Sequence, residues 1–256
     1  MQDNSTKLFF ICCFLMSVFG MQAQDIHFSQ FYNSPLNLNP ALTGVFKGDL
    51  RFNGNYRNQW ASVPVDYLSF SGAFDMKIME GLLGKGLLSG GAIFNIDQAG
   101  DSRLSLSEFK LNAAYAYPLD DLNAVSIGIQ MGVGQRRFNA DQLRFQNQFS
   151  GDIYDANLNS REDFSNTQRS LSDFSAGLNW HTQLDRMRTN FNAGISFLHL
   201  NRPEIGFLGE EDVRLASRYN IYIMAEVEVH PQVDWIAAGI FSLQGKYREM
   251  VLNTGL

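Results

Sequence analysis

Between Phe46 and Met76 the chain shows two consecutive stretches with a clean period of two. Leu50, Phe52, Gly54 and Tyr56 alternate with Arg51, Asn53, Asn55 and Arg57, and Leu68, Phe70, Gly72, Phe74 and Met76 alternate with Ser69, Ser71, Ala73 and Asp75. Successive side chains of a strand point to opposite faces, so each stretch predicts a strand with one apolar and one polar face. The same rhythm recurs at Val125, Ile127, Ile129, Met131 and Val133 against Ser126, Gly128, Gln130, Gly132 and Gly134. It recurs again at Ile221, Ile223, Ala225, Val227 and Val229 against Asn220, Glu226 and Glu228. Strands are predicted near 46–60, 66–77, 88–97, 104–117, 124–137, 171–183, 189–200, 218–229, 233–244 and 247–256. One strand breaks the rhythm: Leu104 and Leu106 are even, while Phe109, Leu111, Ala113, Tyr115 and Tyr117 are odd. A β-bulge near Glu108 would restore the facing.

Alternation of this kind suits a half-buried sheet of a soluble sandwich as well as a barrel whose side chains face lipid and lumen in turn. The connections discriminate between them. Along an up-and-down meander, 78–87, 118–123, 184–188 and 230–232 fall at one end, and 61–65, 98–103, 138–170, 201–217 and 245–246 at the other. Both long polar loops share the second end. Short turns at one end and long loops at the other is the construction of outer-membrane barrels, with the long loops outside the cell. Tyr56, Trp60, Tyr67, Tyr115, Tyr117 and Trp180 lie near predicted strand ends, where aromatic girdles meet headgroups.

The N-terminus points to export. Lys7 precedes an apolar run from Leu8 to Phe19 and a short polar stretch ending Gln22-Ala23-Gln24, the pattern of a secretory signal peptide cut after Ala23. Cys12 and Cys13 lie inside the apolar core rather than after it, which argues against lipoprotein processing, and cleavage would remove both cysteines. The mature chain would then have neither a disulfide staple nor thiol chemistry. No later segment approaches the roughly 20 consecutive apolar residues of a spanning helix. The formal net charge is -6, and nothing in its distribution suits nucleic acid. The predicted organisation is a signal peptide over 1–23, a periplasmic segment over 24–45 and an outer-membrane barrel domain over 46–256.

Candidate chemistry is sparse. Gly84-Lys85-Gly86 lacks the Ser or Thr that must follow the lysine of a phosphate loop. Asp155, Asn157 and Asn159 have calcium-loop spacing, but Ser160 stands where glycine is required and Asn166 where a bidentate Glu belongs. His27, His181, His199 and His230 are scattered without ligand spacing, so no metal site and no cofactor is expected. Ser196 with His199 is the one conceivable nucleophile and base. The expectation is a non-enzymatic protein.

Binding is the remaining class of function. The loop from Phe138 to Ser170 mixes charges with Phe145, Phe149 and Tyr154, a composition suited to a protein partner or to a solvated loop. Glu210, Glu211, Asp212 and Arg214 would lie beside it. At the other end Phe28, Phe31 and Tyr32, set among Asn and Pro, would either fill the lumen or dock a partner. Arg51, Asn53, Asn55 and Arg57 would line the lumen, which leaves a passive porin or small-molecule transporter as the rival function.

Several strings resemble one family. Phe28-Ser29-Gln30-Phe31-Tyr32 with Asn39-Pro40-Ala41-Leu42-Thr43-Gly44, followed by Asn55-Tyr56-Arg57-Asn58-Gln59-Trp60, resembles the start of the PorP/SprF family of type IX secretion and gliding-motility proteins of Bacteroidetes. Asp97-Gln98-Ala99-Gly100, Ala114-Tyr115-Ala116-Tyr117, His199-Leu200-Asn201-Arg202-Pro203, Arg218-Tyr219-Asn220 and Gln244-Gly245 continue the likeness in order. The resemblance implies an outer-membrane β-barrel working in secretion or surface attachment of large adhesin-type proteins, in contact with outer-membrane lipid and the periplasmic ring components. Such proteins usually run on for several more strands, so the chain is expected either to be a fragment of a longer gene or not to close as an ordinary barrel. The expected fold class is all-β: an antiparallel up-and-down transmembrane β-barrel, with incompleteness at the C-terminus left open.

Overall fold

A computed structural model describes residues 28–59, 66–151, 153–155, 157–162, 164–184, 188–207 and 213–256. The predicted signal peptide and Trp60 lie outside the described residues. Twelve strands follow in order: β1 (Leu50–Gln59), β2 (Tyr67–Leu82), β3 (Gly86–Ala99), β4 (Leu104–Pro118), β5 (Asn123–Arg137), β6 (Phe149–Ser150), β7 (Ile153–Tyr154), β8 (Gln168–Gln183), β9 (Asn190–Leu198), β10 (Arg218–His230), β11 (Val233–Gln244) and β12 (Tyr247–Gly255). Ten of them form one sheet in the order β1-β2-β3-β4-β5-β8-β9-β10-β11-β12, and β6 pairs with β7 in a separate two-stranded ribbon. Every neighbour pair is antiparallel. The architecture is a meander curled into an open half-barrel, with β1 and β12 at its two edges and no pairing between them among the described residues. No helix of the described residues is long and apolar enough to cross a membrane.

The burial pattern is the reverse of a water-soluble domain. On β5 the apolar row is exposed (Ile127 54%, Ile129 63%, Met131 56%), while Ser126 and Gln130 are buried. On β10, Ile221 and Ile223 are exposed and Asn220 is buried. A soluble sandwich hides its apolar rows, because exposing them costs about 25 cal/mol per Å². Here they form a continuous outer belt, and the polar rows turn inward, as a bilayer requires.

Turn chemistry sets the short connections. At Leu119–Leu122, the Asp120 carboxylate accepts the backbone N–H groups of Leu122 and Asn123 at 2.8 and 2.7 Å and the Asn123 amide at 2.9 Å. The Asn123 amide, then these backbone donors, hold the Asp120 pKa below its ordinary value. The glycine-rich connection is shorter than 78–87: β2 runs to Leu82 and β3 starts at Gly86, with Gly84 at φ +99° in the tight turn.

Two further details differ from expectation. No bulge occurs near Glu108, because the β3–β4 and β4–β5 ladders both pass it without a register shift. Leu104 and Leu106 therefore share the inward face with Glu108. The reason is height: at the loop end the outward row is polar (Ser105, Ser107, Gln135, Arg137), and beyond the apolar belt leucine has no cause to face outward. Tyr67 is not a girdle residue either. It shares the inward face with Ser69, and its hydroxyl donates to Asp97 at 2.7 Å.

The core is supplied by the chain's own N-terminal segment. A 3-10 turn (Phe31–Asn33), one turn of α-helix (Pro35–Leu38) and a second 3-10 turn (Pro40–Leu42) pass through the concave side of the sheet. Prolines at the starts of the last two turns provide the φ these turns need and omit an N–H that would lack a partner. Leu36, Asn39 and Ala41 are completely buried.

Candidate functional site

The N-terminal segment is seated by side chains that capture its backbone. Leu36 O accepts from Gln130, Ala41 O from Ser126, Leu42 O from Arg51, and Leu38 O from both Ser196 and Asn220, at 2.7 to 3.3 Å. Asn39 is the wedge. Its Nδ2 donates to Leu178 O, Ile195 O and the Tyr222 hydroxyl at 3.0 to 3.1 Å, and its Oδ1 accepts the Ala41 N–H at 2.8 Å. The wall makes room with glycine. A Cβ on Gly177 would overlap Asn39 Oδ1, and one on Gly128 would overlap the Pro40–Ala41 peptide. These polar inward residues satisfy backbone groups that would otherwise be buried without partners.

The opposite wall is apolar. Phe31, Leu38 and Leu42 pack with Tyr222, Ala238 and Ile240, and Tyr32 packs against the same cluster. Phe28 lines a small cavity with Arg218 and Glu249. The predicted plug residues thus lie within the half-barrel, among wall side chains.

Arg51, Asn53, Asn55 and Arg57 lie along the inward row of β1 but have separate surroundings. Arg51 forms a two-pronged pair with Asp75 (2.9 and 2.8 Å), and Asp75 also accepts the Gly44 N–H at 2.8 Å. Asn55 donates to Asn33 O at 3.0 Å, and on the other edge strand Asn253 donates to Ser29 O at 2.8 Å. Both sheet edges are tied to the same segment. The Arg57 guanidinium lies 5.3 Å from the Tyr67 ring centre, and the buried Asn53 Oδ1 has no hydrogen-bond partner among the described residues.

Above this plug lies a layer of buried charge that pattern reading did not single out. Lys110 Nζ is 3.1 Å from Glu108 and 3.5 Å from Asp173, and His199 Nδ1 is 2.9 Å from the other Asp173 oxygen. All four side chains are buried. Asn95 joins the layer to the plug, donating to Asn37 at 3.0 Å and to Glu108 at 3.4 Å. Single histidines and acids without short-range spacing gave no signal. Only the register that sets Lys110, Gly132 and Asp173 side by side across three strands brings them together. Ser196 and His199 do not engage each other: Ser196 donates to Leu38 O, and His199 pairs with Asp173.

The long loops form a cap. Phe138 stacks edge-on against Phe164 and Phe207 with ring centres 6.2 and 4.8 Å apart, and Phe145 lies 5.5 Å from Phe164. Arg136 donates to Ile205 O at 2.8 Å, and its guanidinium lies 5.5 Å from the Phe207 ring centre. Phe207 therefore joins the two loops. Phe149 and Tyr154 face each other across the β6–β7 ribbon at 5.4 Å, with Arg144 over the Tyr154 ring. Of the three aromatics singled out here, the structure brings Phe149 and Tyr154 together and sends Phe145 to the separate Phe164 cluster. Ile153, 73% exposed, was missed, because a lone aliphatic in a polar loop has no periodicity to mark it. Glu210, Glu211 and Asp212 lie outside the described residues, whereas Arg214 pairs with Glu204 through an isolated antiparallel β-bridge of their backbones.

The calcium-like spacing has a local explanation: Asp155 accepts both the backbone N–H and the side-chain amide of Asn157 in an Asx turn. Among the described residues no three His, Cys, Asp or Glu side chains gather as a metal site.

No curated protein matches the chain. The family described as Type IX secretion system membrane protein PorP/SprF matches it over residues 20–255. With its inverted ten-strand sheet and a match over nearly its whole length, the chain belongs to the PorP/SprF family of type IX secretion system membrane proteins.

Proposed function

We propose that the protein is a non-enzymatic outer-membrane scaffold of the type IX secretion and gliding-motility machinery. It holds large adhesin-type proteins during their secretion or surface attachment, and it contacts the periplasmic ring components at the short-turn end. The observation that carries this reading is the seating of the N-terminal segment. A concave side filled at its centre by a backbone captured at Leu36, Leu38, Ala41 and Leu42 supports a filled scaffold over an open pore, with the loop cap and the turn end as the working surfaces. The cap supports a partner role because Phe149, Ile153 and Leu158 are exposed beyond the apolar belt, where no lipid covers them. The proposed division is a leader over 1–23, the plug within 24–45 and the barrel domain over 46–256.

The test is affinity capture of the tagged protein from detergent-solubilised native envelopes under gentle crosslinking, with bound proteins identified by mass spectrometry. Co-recovery of a very large secreted protein or of ring components is the expected result. A preparation free of both, together with steady ion conductance in a planar bilayer, would replace this reading with a passive pore.

A further inference from the structure

We propose that the outward face of β3, β4, β5 and β8 carries a site for one anionic lipid whose headgroup bears a phosphate and hydroxyls. This site goes beyond the partner-holding role and needs only the lipid-facing exterior. A groove of about 540 Å³ opens there, lined by Phe94, Phe109, Val133, Ser107, Gln135 and Ser170 among others. Strand register arranges these residues in tiers. Phe94, Phe109, Val133 and Ser172 stand side by side across four strands, and their three apolar members are 43%, 46% and 62% exposed. Ser172 is the small member of this tier and forms the notch. One tier toward the loop end, Ser107, Gln135 and Ser170 are aligned, supplying two hydroxyls and an amide. One tier further, Arg137 stands opposite Ser105.

The tiers match the parts of an amphiphile in order: acyl chain, hydroxyls, phosphate. The apolar tier continues the belt through Leu111 and Met131, which are 52% and 56% exposed. Arg137 is exposed. Its Nε donates to Ser105 Oγ at 3.3 Å, which holds the guanidinium one tier beyond the residues that line the groove, and no carboxylate pairs with it among the described residues. An exposed planar guanidinium suits a phosphate, and such charge-assisted bonds are about twice as strong as neutral ones. Charge complementarity and continuity with the belt together select a lipid as the occupant.

The probe is phosphatidylglycerol, which carries a phosphodiester and two hydroxyls. It would be titrated into the detergent-solubilised full chain and followed by native mass spectrometry, with phosphatidylcholine of the same chains and inorganic phosphate as the other arms. One phosphatidylglycerol is expected to bind about tenfold more tightly than phosphatidylcholine, a step of one charge-assisted contact. Arg137→Gln should abolish that preference, Ser172→Trp should weaken both lipids by filling the notch, and Arg248→Gln, which alters an exposed cation on β12, should change neither. Thermal unfolding of each variant at the wild-type midpoint confirms that the fold is intact. An unchanged preference in Arg137→Gln, or displacement of the lipid by an equal concentration of inorganic phosphate, would overturn the site. Neither result touches affinity capture of protein partners.

Discussion

The plug and the loop cap use aromatic and polar residues in similar proportion and hold them in opposite ways. In the plug, the carbonyls of Leu36, Leu38, Ala41 and Leu42 meet donors from the wall, and Asn39 by itself reaches β8, β9 and β10. In the cap, ring contacts such as Phe138–Phe207 join one loop to the other, while Phe149 and Ile153 remain outside them. A backbone held by directional bonds in a water-poor interior has one position, because each alternative strands a polar group at about 1–3 kcal/mol. A surface joined by ring contacts and a few polar links such as Arg136 to Ile205 O can repack around a partner at small cost. The protein is rigid where it is filled and adaptable where it faces outward, which fits the holding role proposed above.

The sharpest way to break the contrast is to attack the layer between the two regions. Lys110 is the ammonium between Glu108 and Asp173. Lys110→Met leaves two buried carboxylates without that cation, and removing one partner of a buried pair costs about 3–5 kcal/mol. The expected outcome is a large fall in thermal unfolding temperature, with the plug and the start of the 199–217 loop loosening together in hydrogen exchange. The neutral combination Glu108→Gln, Lys110→Met and Asp173→Asn should recover much of the loss, since the cost lies in uncompensated charge. A single variant with wild-type stability would mean that the layer is hydrated and contributes little.

Asn39→Ala tests the plug alone. It removes three donated bonds and the acceptor for Ala41, and it leaves the Tyr222 hydroxyl with one partner fewer. A loss of about 2–3 kcal/mol is expected, read as faster amide exchange from Leu36 to Thr43 and new proteolytic cleavage there. The cap should keep its wild-type exchange.

The strands were legible because a barrel wall repeats a two-residue rule, and ten of ten predicted strands appear close to their predicted places. Ile127, Ile129 and Met131 against Ser126 and Gln130 carry that rule in plain form. It fails where the rule changes with height: beyond the belt the outward row becomes Ser107 and Gln135, so Leu104 and Leu106 looked out of phase when they were not. The ion layer was hidden for another reason. Glu108, Lys110 and Asp173 are separated by up to 65 positions and are brought together only by the β4–β5–β8 register. Asn39-Pro40-Ala41 was visible as a string, but its role as a wedge depends on Gly128 and Gly177, whose vacancies have meaning only once the segment is seated against them.

The smallest effect belongs to the cap, and it completes the comparison. Phe207→Ala removes the ring that meets Phe138 at 4.8 Å and lies beneath the Arg136 guanidinium. Aromatic pairs and exposed cation–π contacts contribute about 0.5–1.5 and 0.5–1 kcal/mol each, so roughly 1–2 kcal/mol of local stability should be lost. Because this energy holds one loop against another and nothing in the lumen depends on it, global unfolding should barely move. Hydrogen exchange should instead rise across 199–207 and 138–151 and stay unchanged from Leu36 to Thr43. If the plug amides accelerated as well, cap and plug would form one cooperative unit, and partner binding outside would be felt within the barrel through His199 and Asp173.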